Sequence, residues 1–427
     1  MKPIPAVVLN MFHSGLGIAR SLGERGIPVI GLSAERGVYG NFTRFARIRL
    51  APNSRSHPEA LLENLLSLGR EIGRGVIFPT RDDDVVFLDR YREELQPYFS
   101  SVIPDRAAAQ ACLNKWETHQ WAQKAGVAVP AAWLVEREAD LERVMREAAF
   151  PCVMKPVASY HWHRGANWQL VGARKAVRIC SREELVSEYS RIALADPRVL
   201  VQEVIPGTDN GLVITACYFD RQLHYVAGFN IQKLLQIPEG FGTGCIVQTI
   251  ERPELVEPTV RLLGAMGFSG IAEVEFKWDA AAGEHKLIEI NARPWDQHRL
   301  GHACGIDLIF IAYCDHAGLV APAVGKAVPA QKWVDDDAIL TEMFAFGGRH
   351  RKLGDLFQMS RGKRIWAIWS AKDPAPFAAY LVKVALPRMT RDAARMLWSG
   401  AGRILRGNRK PQKEAQIYEN RLEKRRG

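Results

Sequence analysis

One stretch, Gly270 to Pro294, reading GIAEVEFKWDAAAGEHKLIEINARP, restricts the fold more than any other part of the chain. Ile271 to Trp278 and His285 to Ile290 alternate polar with apolar residues, and Asp279-Ala-Ala-Ala-Gly283 supplies a turn. The spacing predicts a β-hairpin. Residues two apart share a strand face, which groups Glu273 with Glu275, and Glu289 with Asn291 and Arg293. If the hairpin closes around Ala282, Glu275 faces Glu289 and Glu273 faces Asn291. Facing carboxylates repel unless a cation lies between them. Carboxylate and amide oxygens beside an arginine suit Mg2+ carrying a nucleotide's phosphates. A solvated polar face accounts for the same pattern, and the hairpin alone does not decide between the two.

The remainder narrows the choice. Through about residue 105, strands (Ala6–Leu9, Pro28–Leu32, Gly75–Phe78) alternate with helices (Leu16–Arg25, Leu61–Ile72), which implies a parallel, doubly wound sheet. The turn His13-Ser-Gly15-Leu-Gly17 has two glycines of a dinucleotide fingerprint, but Arg20 stands at the third position, so it reads as a tight turn near a substrate. Arg81 and Asp82 end the third strand, where a substrate crevice would open. A helix is expected over Leu113–Ala125 and another over Glu138–Ala149. Phe150–Pro156 is a short buried strand whose Lys155 calls for an anionic partner. Val199-Leu-Val-Gln202-Glu203 is a strand closed by Pro206-Gly207, and an antiparallel hairpin over 213–228 shifts the pattern from α/β to α+β. From Ile231 to Cys245 three alternate glycines follow Lys233, suited to close approach of an anion. Helices are expected over Pro258–Met266 and Leu308–Leu319.

At 427 residues, 47% hydrophobic and 24% charged, the chain has room for two or three domains. No apolar run reaches the roughly 20 residues that span a bilayer, and the start of the chain reads as a first strand rather than a signal peptide. Seven scattered cysteines without a Cys-x-x-Cys pair argue for reduced thiols, a cytoplasmic setting and no zinc site. The net charge of +10 is concentrated from Leu381 onward, where 13 Lys/Arg stand against 4 Asp/Glu. There the pattern is helical, with an expected break at Pro387 and a basic, amphipathic tail over 377–427. Peripheral contact with an anionic membrane surface and simple packing on the body both fit that tail. Nucleic-acid binding fits poorly, since few aromatics interleave its basic residues.

The order of these features resembles the ATP-grasp family of carboxylate–amine ligases. It consists of Lys115 opening a helix, Lys155 on a strand, Gln202-Glu203 before a Pro-Gly turn, and then Glu275, Glu289, Asn291 and Arg293. Phe78-Pro-Thr-Arg-Asp82, Lys175-Ala-Val, the 233–244 stretch, Ile290-Asn-Ala-Arg-Pro-Trp295 and Asp373-Pro-Ala-Pro376 are similar to its D-aspartate ligase-like branch. The resemblance implies a Rossmann-like pre-ATP-grasp domain (1–105) and a two-lobed ATP-grasp domain (106–320, lid lobe about 150–206). A mixed segment (321–376) and the helical basic extension (377–427) follow. It implies ATP and Mg2+, with Mn2+ as a substitute ion. Lys115 and Lys155 would hold phosphates, while Gln202, Glu203 and the Val204 backbone would meet the nucleotide. Glu275, Glu289 and Asn291 would be metal ligands with Glu273 behind them. Arg293 and Lys233 would act on the transferred charge. Small carboxylate and amine substrates are implied, drawn from amino acids or cell-envelope precursors. The loop after Lys155, Val-Ala-Ser159-Tyr-His161-Trp-His163-Arg164-Gly165, departs from the family's glycine-rich lid. An ATP-grasp carboxylase, a kinase-like enzyme or a nucleotide-binding protein without catalysis stays compatible with these residues. No Gly-x-x-x-x-Gly-Lys-[Ser/Thr] is present, which excludes a P-loop.

Overall fold

The structure is a computed structural model that describes residues 3–391 except 163–164, 238–239, 241, 345–355 and 357–358. The first sheet contains β1 (Ala6–Leu9), β2 (Val29–Ser33), β3 (Arg47–Leu50), β4 (Gly75–Phe78) and β5 (Phe99–Ser101), all parallel, in the order β3-β2-β1-β4-β5. Its central strands β1 and β4 are buried throughout, as their unbroken apolar runs require for a sheet covered on both faces. Helix His13–Gly23 follows β1 and contains both glycines of the expected turn. A Cβ on Gly15 would lie 1.9 Å from the Asn10 carbonyl oxygen, and one on Gly17 2.8 Å from His298 Nε2. Both glycines let this helix pack tightly, which accounts for them without a dinucleotide.

A second, antiparallel sheet of order β6-β9-β7-β8 comprises β6 (Ala132–Val135), β7 (Cys152–Pro156), β8 (Val177–Ile179) and β9 (Val199–Glu203). Its own apolar core includes Trp162 and Trp168. The third sheet, of order β14-β13-β10-β11-β12-β15-β16, contains β10 (Leu212–Phe219), β11 (Tyr225–Ile237), β12 (Thr243–Ile250), β13 (Gly270–Asp279), β14 (Glu284–Asn291), β15 (Lys332–Val334) and β16 (Arg364–Trp366). It is antiparallel except for the β15–β16 pair. The β13–β14 hairpin has the register expected from its alternation: Glu275 pairs with Glu289 and Glu273 with Asn291. A bulge follows Glu275.

Three expectations need correction. The helix expected over 113–125 is Lys115–Lys124, and an unforeseen helix, Arg106–Leu113, precedes it across Asn114. The Asn114 side chain accepts hydrogen bonds from the Trp116 and Glu117 amides at 3.0 and 3.2 Å, a cap that starts a new helix and makes Lys115 its first residue. The stretch from Ile231 is mostly strand, with β11 running to Ile237 and β12 resuming at Thr243. Lys233 is therefore a buried strand residue. Pro387 does not break its helix, which runs from Ala375 through 391. The turn before it, Leu381–Ala385, is π-helical, a widened turn that relieves the clash of a proline ring with the preceding turn. The basic tail beyond 391, with His163, Arg164, Pro238, Glu239 and Phe241, lies outside the described residues.

The segment after β16 returns to the first sheet. Arg20, wholly buried, donates from Nε to Asp373 Oδ2 at 2.9 Å and from Nη2 to the Ile368 carbonyl at 2.8 Å. Asp373 also accepts from Thr43 Oγ1 at 2.6 Å and from the Arg44 amide at 3.0 Å. Glu24 is bound by both Arg299 and Lys372, at 2.5 and 3.1 Å. Among the described residues no helix is long and apolar enough to cross a membrane, and all seven cysteines are free.

Candidate active site

A cavity of about 360 Å3, within the size range of small-ligand sites, is lined by the second and third sheets and by the segments after β1, β2, β3 and β4 of the first. All ten residues singled out in the sequence line it: Lys115, Lys155, Gln202, Glu203, Val204, Lys233, Glu275, Glu289, Asn291 and Arg293.

At its centre stands the acidic face of the β13–β14 hairpin. Glu275 Oε2 is 2.5 Å from Lys233 Nζ, which reaches it from β11 across β10. Glu289 Oε1 is 2.7 Å from Lys115 Nζ, which also donates to Ser159 Oγ at 2.9 Å. Burial pushes the Glu289 carboxyl up, but Lys115, Lys155 and Lys175 together hold it down at about 2. Burial disfavours the charge on Lys233, and the neighbouring Glu275 and Glu273 more than restore it. Glu273 is the reverse case. Its burial, with Glu275 nearby and despite Lys233, pushes its carboxyl up to about 8. Its Oε2 accepts from Asn291 Nδ2 at 3.0 Å. Arg293 donates from Nε to Asp82 Oδ1 at 2.6 Å and from Nη2 to Asn291 Oδ1 at 3.3 Å. Asp82, expected only to line a crevice, thus orients the candidate arginine.

Lys155 closes the roof. Its Nζ donates to Gln202 Oε1 at 2.7 Å, and burial, reinforced by Lys115, brings its ammonium down to about 8. Gln202 therefore positions Lys155 in this arrangement. Glu203 pairs its backbone amide with the Ala131 carbonyl at 2.8 Å, and its Oε2 accepts from the Ala131 amide at 3.1 Å. The aromatic segment after Lys155 is a short helix, Ser159–Trp162, whose Trp162 is an anchor in the core of the second sheet. His161 Nδ1 lies 2.7 Å from Asp196 Oδ2, a structural use of that histidine. Lys175, missing from the sequence-derived site, spans the cleft from the second sheet to Thr243 Oγ1 at 3.0 Å. Its signal was the Lys-Ala-Val motif.

Among the described residues, no group of three or more His, Cys, Asp or Glu side chains is gathered as metal ligands. The candidate set here is two carboxylates and one amide oxygen. Its chemistry fits a hard divalent ion. The two carboxylates face each other across the hairpin, line the cavity, and are balanced by lysines.

No protein-family model matches the chain. It is similar to D-aspartate ligase of Enterococcus faecium (strain Aus0004), 22% identical over 301 residues that cover 67% of this chain and 70% of that protein. It is also similar to D-alanine–D-alanine ligase of Ectopseudomonas mendocina (strain ymp), 26% identical over 46% of this chain and 60% of the relative, less than two thirds of its length. Among solved structures, biotin carboxylase from Campylobacter jejuni, in a complex with an ATP analogue, superposes with a TM-score of 0.60 at 17% identity, over 75% of this chain and 72% of that one. An L-amino acid ligase from Bacillus licheniformis gives 0.57 at 15% identity, over 75% and 76%. At these identities the solved structures speak for the fold.

Proposed function

We propose that this chain, which belongs to the ATP-grasp superfamily, is an ATP-dependent carboxylate–amine ligase that joins a small carboxylate to an amine and releases ADP and phosphate. The observation that carries the reading is one cleft in which Lys115 pairs with Glu289 and Lys233 with Glu275, and which Lys155 also lines. Similarity to ligases that form carbon–nitrogen bonds supports it. We read residues 1–105 as a Rossmann-like pre-ATP-grasp domain and 106–320 as the ATP-grasp domain, with 321–376 and 377–427 as extensions.

A carboxylate is a poor electrophile, because an amine attacking it would have to expel oxide. Transfer of the γ-phosphoryl group to the carboxylate makes an acyl phosphate. The amine then attacks the acyl carbon, the C–O bond to phosphate breaks, and the nitrogen loses its extra proton. Lys115 and Lys155 are placed to hold the nucleotide's phosphates once these displace Glu289 and Gln202 from their ammonium groups. Glu203 and the Val204 backbone take the adenosine end. Glu275, Glu289 and Asn291 would hold Mg2+, which when bound supplies charge neutralisation for the phosphoryl oxygens. Arg293, fixed by Asp82, and Lys233 offer donors to charge that builds up during transfer. Positioning and electrostatics dominate such transfers, which explains why the cleft presents charged groups rather than a nucleophile. A cytoplasmic setting stays part of this reading, supported by the free thiols.

The test is a screen of amino acids, as acids and as amines, for ATP-dependent phosphate release, using acid labelled with 18O in its carboxylate. One label atom per turnover should appear in the phosphate. Phosphate released without label, or no release from any pair, would overturn the reading.

A further inference from the structure

The cleft extends past Arg293 to a second end, formed by the start of the first helix, the loop after β2 and the segment after β15. Four polar atoms there are buried and have no hydrogen-bond partner: His13 Nε2, Ser14 Oγ, Tyr39 OH and Trp295 Nε1. Tyr39 is 1% exposed, and Ser14 and Trp295 are each 3% exposed. All four residues line the cavity, together with Asp335. The rings of His13 and Tyr39 are 5.6 Å apart, and His13 also packs on Trp333, two residues before Asp335. His13 Nε2 approaches Asp335 Oδ1 to 3.5 Å.

Asp335 is the anionic centre of this end. Its Oδ1 accepts from the Asp337 and Ala338 amides at 3.0 and 3.1 Å and so caps the helix Asp336–Phe344. Its Oδ2 takes none of these bonds. Buried hydroxyl and indole groups left unsatisfied are costly, so a site that keeps several of them beside a carboxylate is shaped for a polar guest. The carboxylate sets the sign of that guest, because an anion here would meet repulsion from Asp335 and from Asp296, which also lines the cavity.

We infer that His13, Ser14, Tyr39 and Asp335 form a subsite for the ammonium group of a small amine. An R–NH3+ group has three donors. Asp335 Oδ2 and the hydroxyl oxygens of Tyr39 and Ser14 are three acceptors of suitable type, with His13 able to serve as a fourth in its neutral form. Calling this amine the acceptor of the ligation rests on the ligase reading; the binding itself does not. It makes the segment after β15 a determinant of specificity, through a residue far in sequence from the hairpin.

Titrating the full chain with glycinamide, which carries an ammonium, and with glycolamide, its neutral hydroxyl counterpart, tests the inference by calorimetry. Glycinamide should bind at least ~10-fold more tightly than glycolamide, since a charge-assisted hydrogen-bond set is lost with the hydroxyl. Asp335→Asn should remove that preference, and its amide oxygen keeps an acceptor for the helix cap. Tyr39→Phe, away from the cap, should weaken glycinamide by about 3- to 10-fold. Thermal melts of both variants check that the fold persists. Equal binding of the two amides to the wild type, an unchanged preference in folded Asp335→Asn, or unchanged glycinamide affinity in folded Tyr39→Phe would overturn the subsite. In a separate arm, hydroxylamine replaces the amine and traps acyl phosphate as a hydroxamate. Its absence with every acid tried counts against the ligase reading and leaves the ammonium result standing.

Discussion

At the hairpin end of the cleft Glu275 and Glu289 each lie within 2.7 Å of a lysine, and Asn291 is held by both Glu273 and Arg293. At the other end Tyr39, Ser14 and His13 are equally enclosed but hold atoms with no partner. The first region is internally neutralised, so a ligand must displace existing bonds to enter, and tight binding there comes from exchanging one set of charge-assisted contacts for another. The second is incomplete by itself and gains bonds without losing any. One end is built to exchange partners, the other to acquire them.

Substitutions can break this contrast, and the largest effect belongs to the hairpin. Glu289→Ala leaves Lys115 unpaired and removes a candidate metal oxygen. Phosphate release should fall by about 10³-fold or more while the circular dichroism spectrum is retained. Asn291→Ala should follow it. Full activity in both would remove the metal assignment. Next comes Lys155→Met, expected to lower kcat/KM for ATP by about 10²-fold. Its pH dependence sharpens the point. Lys155 is displaced downward to about 8, so it is cationic below that value and loses its charge as pH rises through it. The KM for ATP should therefore climb above pH 8, and Lys155→Arg should flatten the climb because a guanidinium stays charged. Asp335→Asn comes third, with its ~10-fold loss of amine preference and no comparable change in the pH profile. Glu273→Gln should be smallest, within about threefold in kcat, since a glutamine oxygen still accepts from Asn291 Nδ2.

The two ends also differ in how far they could be read beforehand. Glu273, Glu275, Glu289 and Asn291 lie on two adjacent strands, where a period of two fixes which side chains meet, so their pairing was visible in the residues themselves. Lys155 and Lys233 were visible as charges in apolar surroundings, although the burial of Lys233 within β11 was hidden by the glycines that follow it. The second end draws one or two residues from each of four separate segments. Ser14 and Tyr39 are ordinary in isolation, and β15, only three residues long, is too short to show a period. Lys115 is intermediate. It was read as opening a helix, but the Asn114 cap that makes it the first residue was not read from the sequence.

The buried bond between Arg20 and Asp373 has a consequence for the order in which the chain can mature. Arg20 belongs to the first helix to leave the ribosome, yet its carboxylate partner is made 353 residues later. At a typical pace of synthesis, about 5–20 residues per second, that guanidinium waits for tens of seconds before it can be enclosed. Until then, closing the helix onto its sheet would bury an unpaired charge, which is strongly unfavourable. The helix that carries Arg20 thus gains the partner of its buried charge only after every strand of the three sheets has been made. A product stopped short of residue 373 would carry a defect in the part of the molecule synthesised first, and quality-control proteases would meet it there.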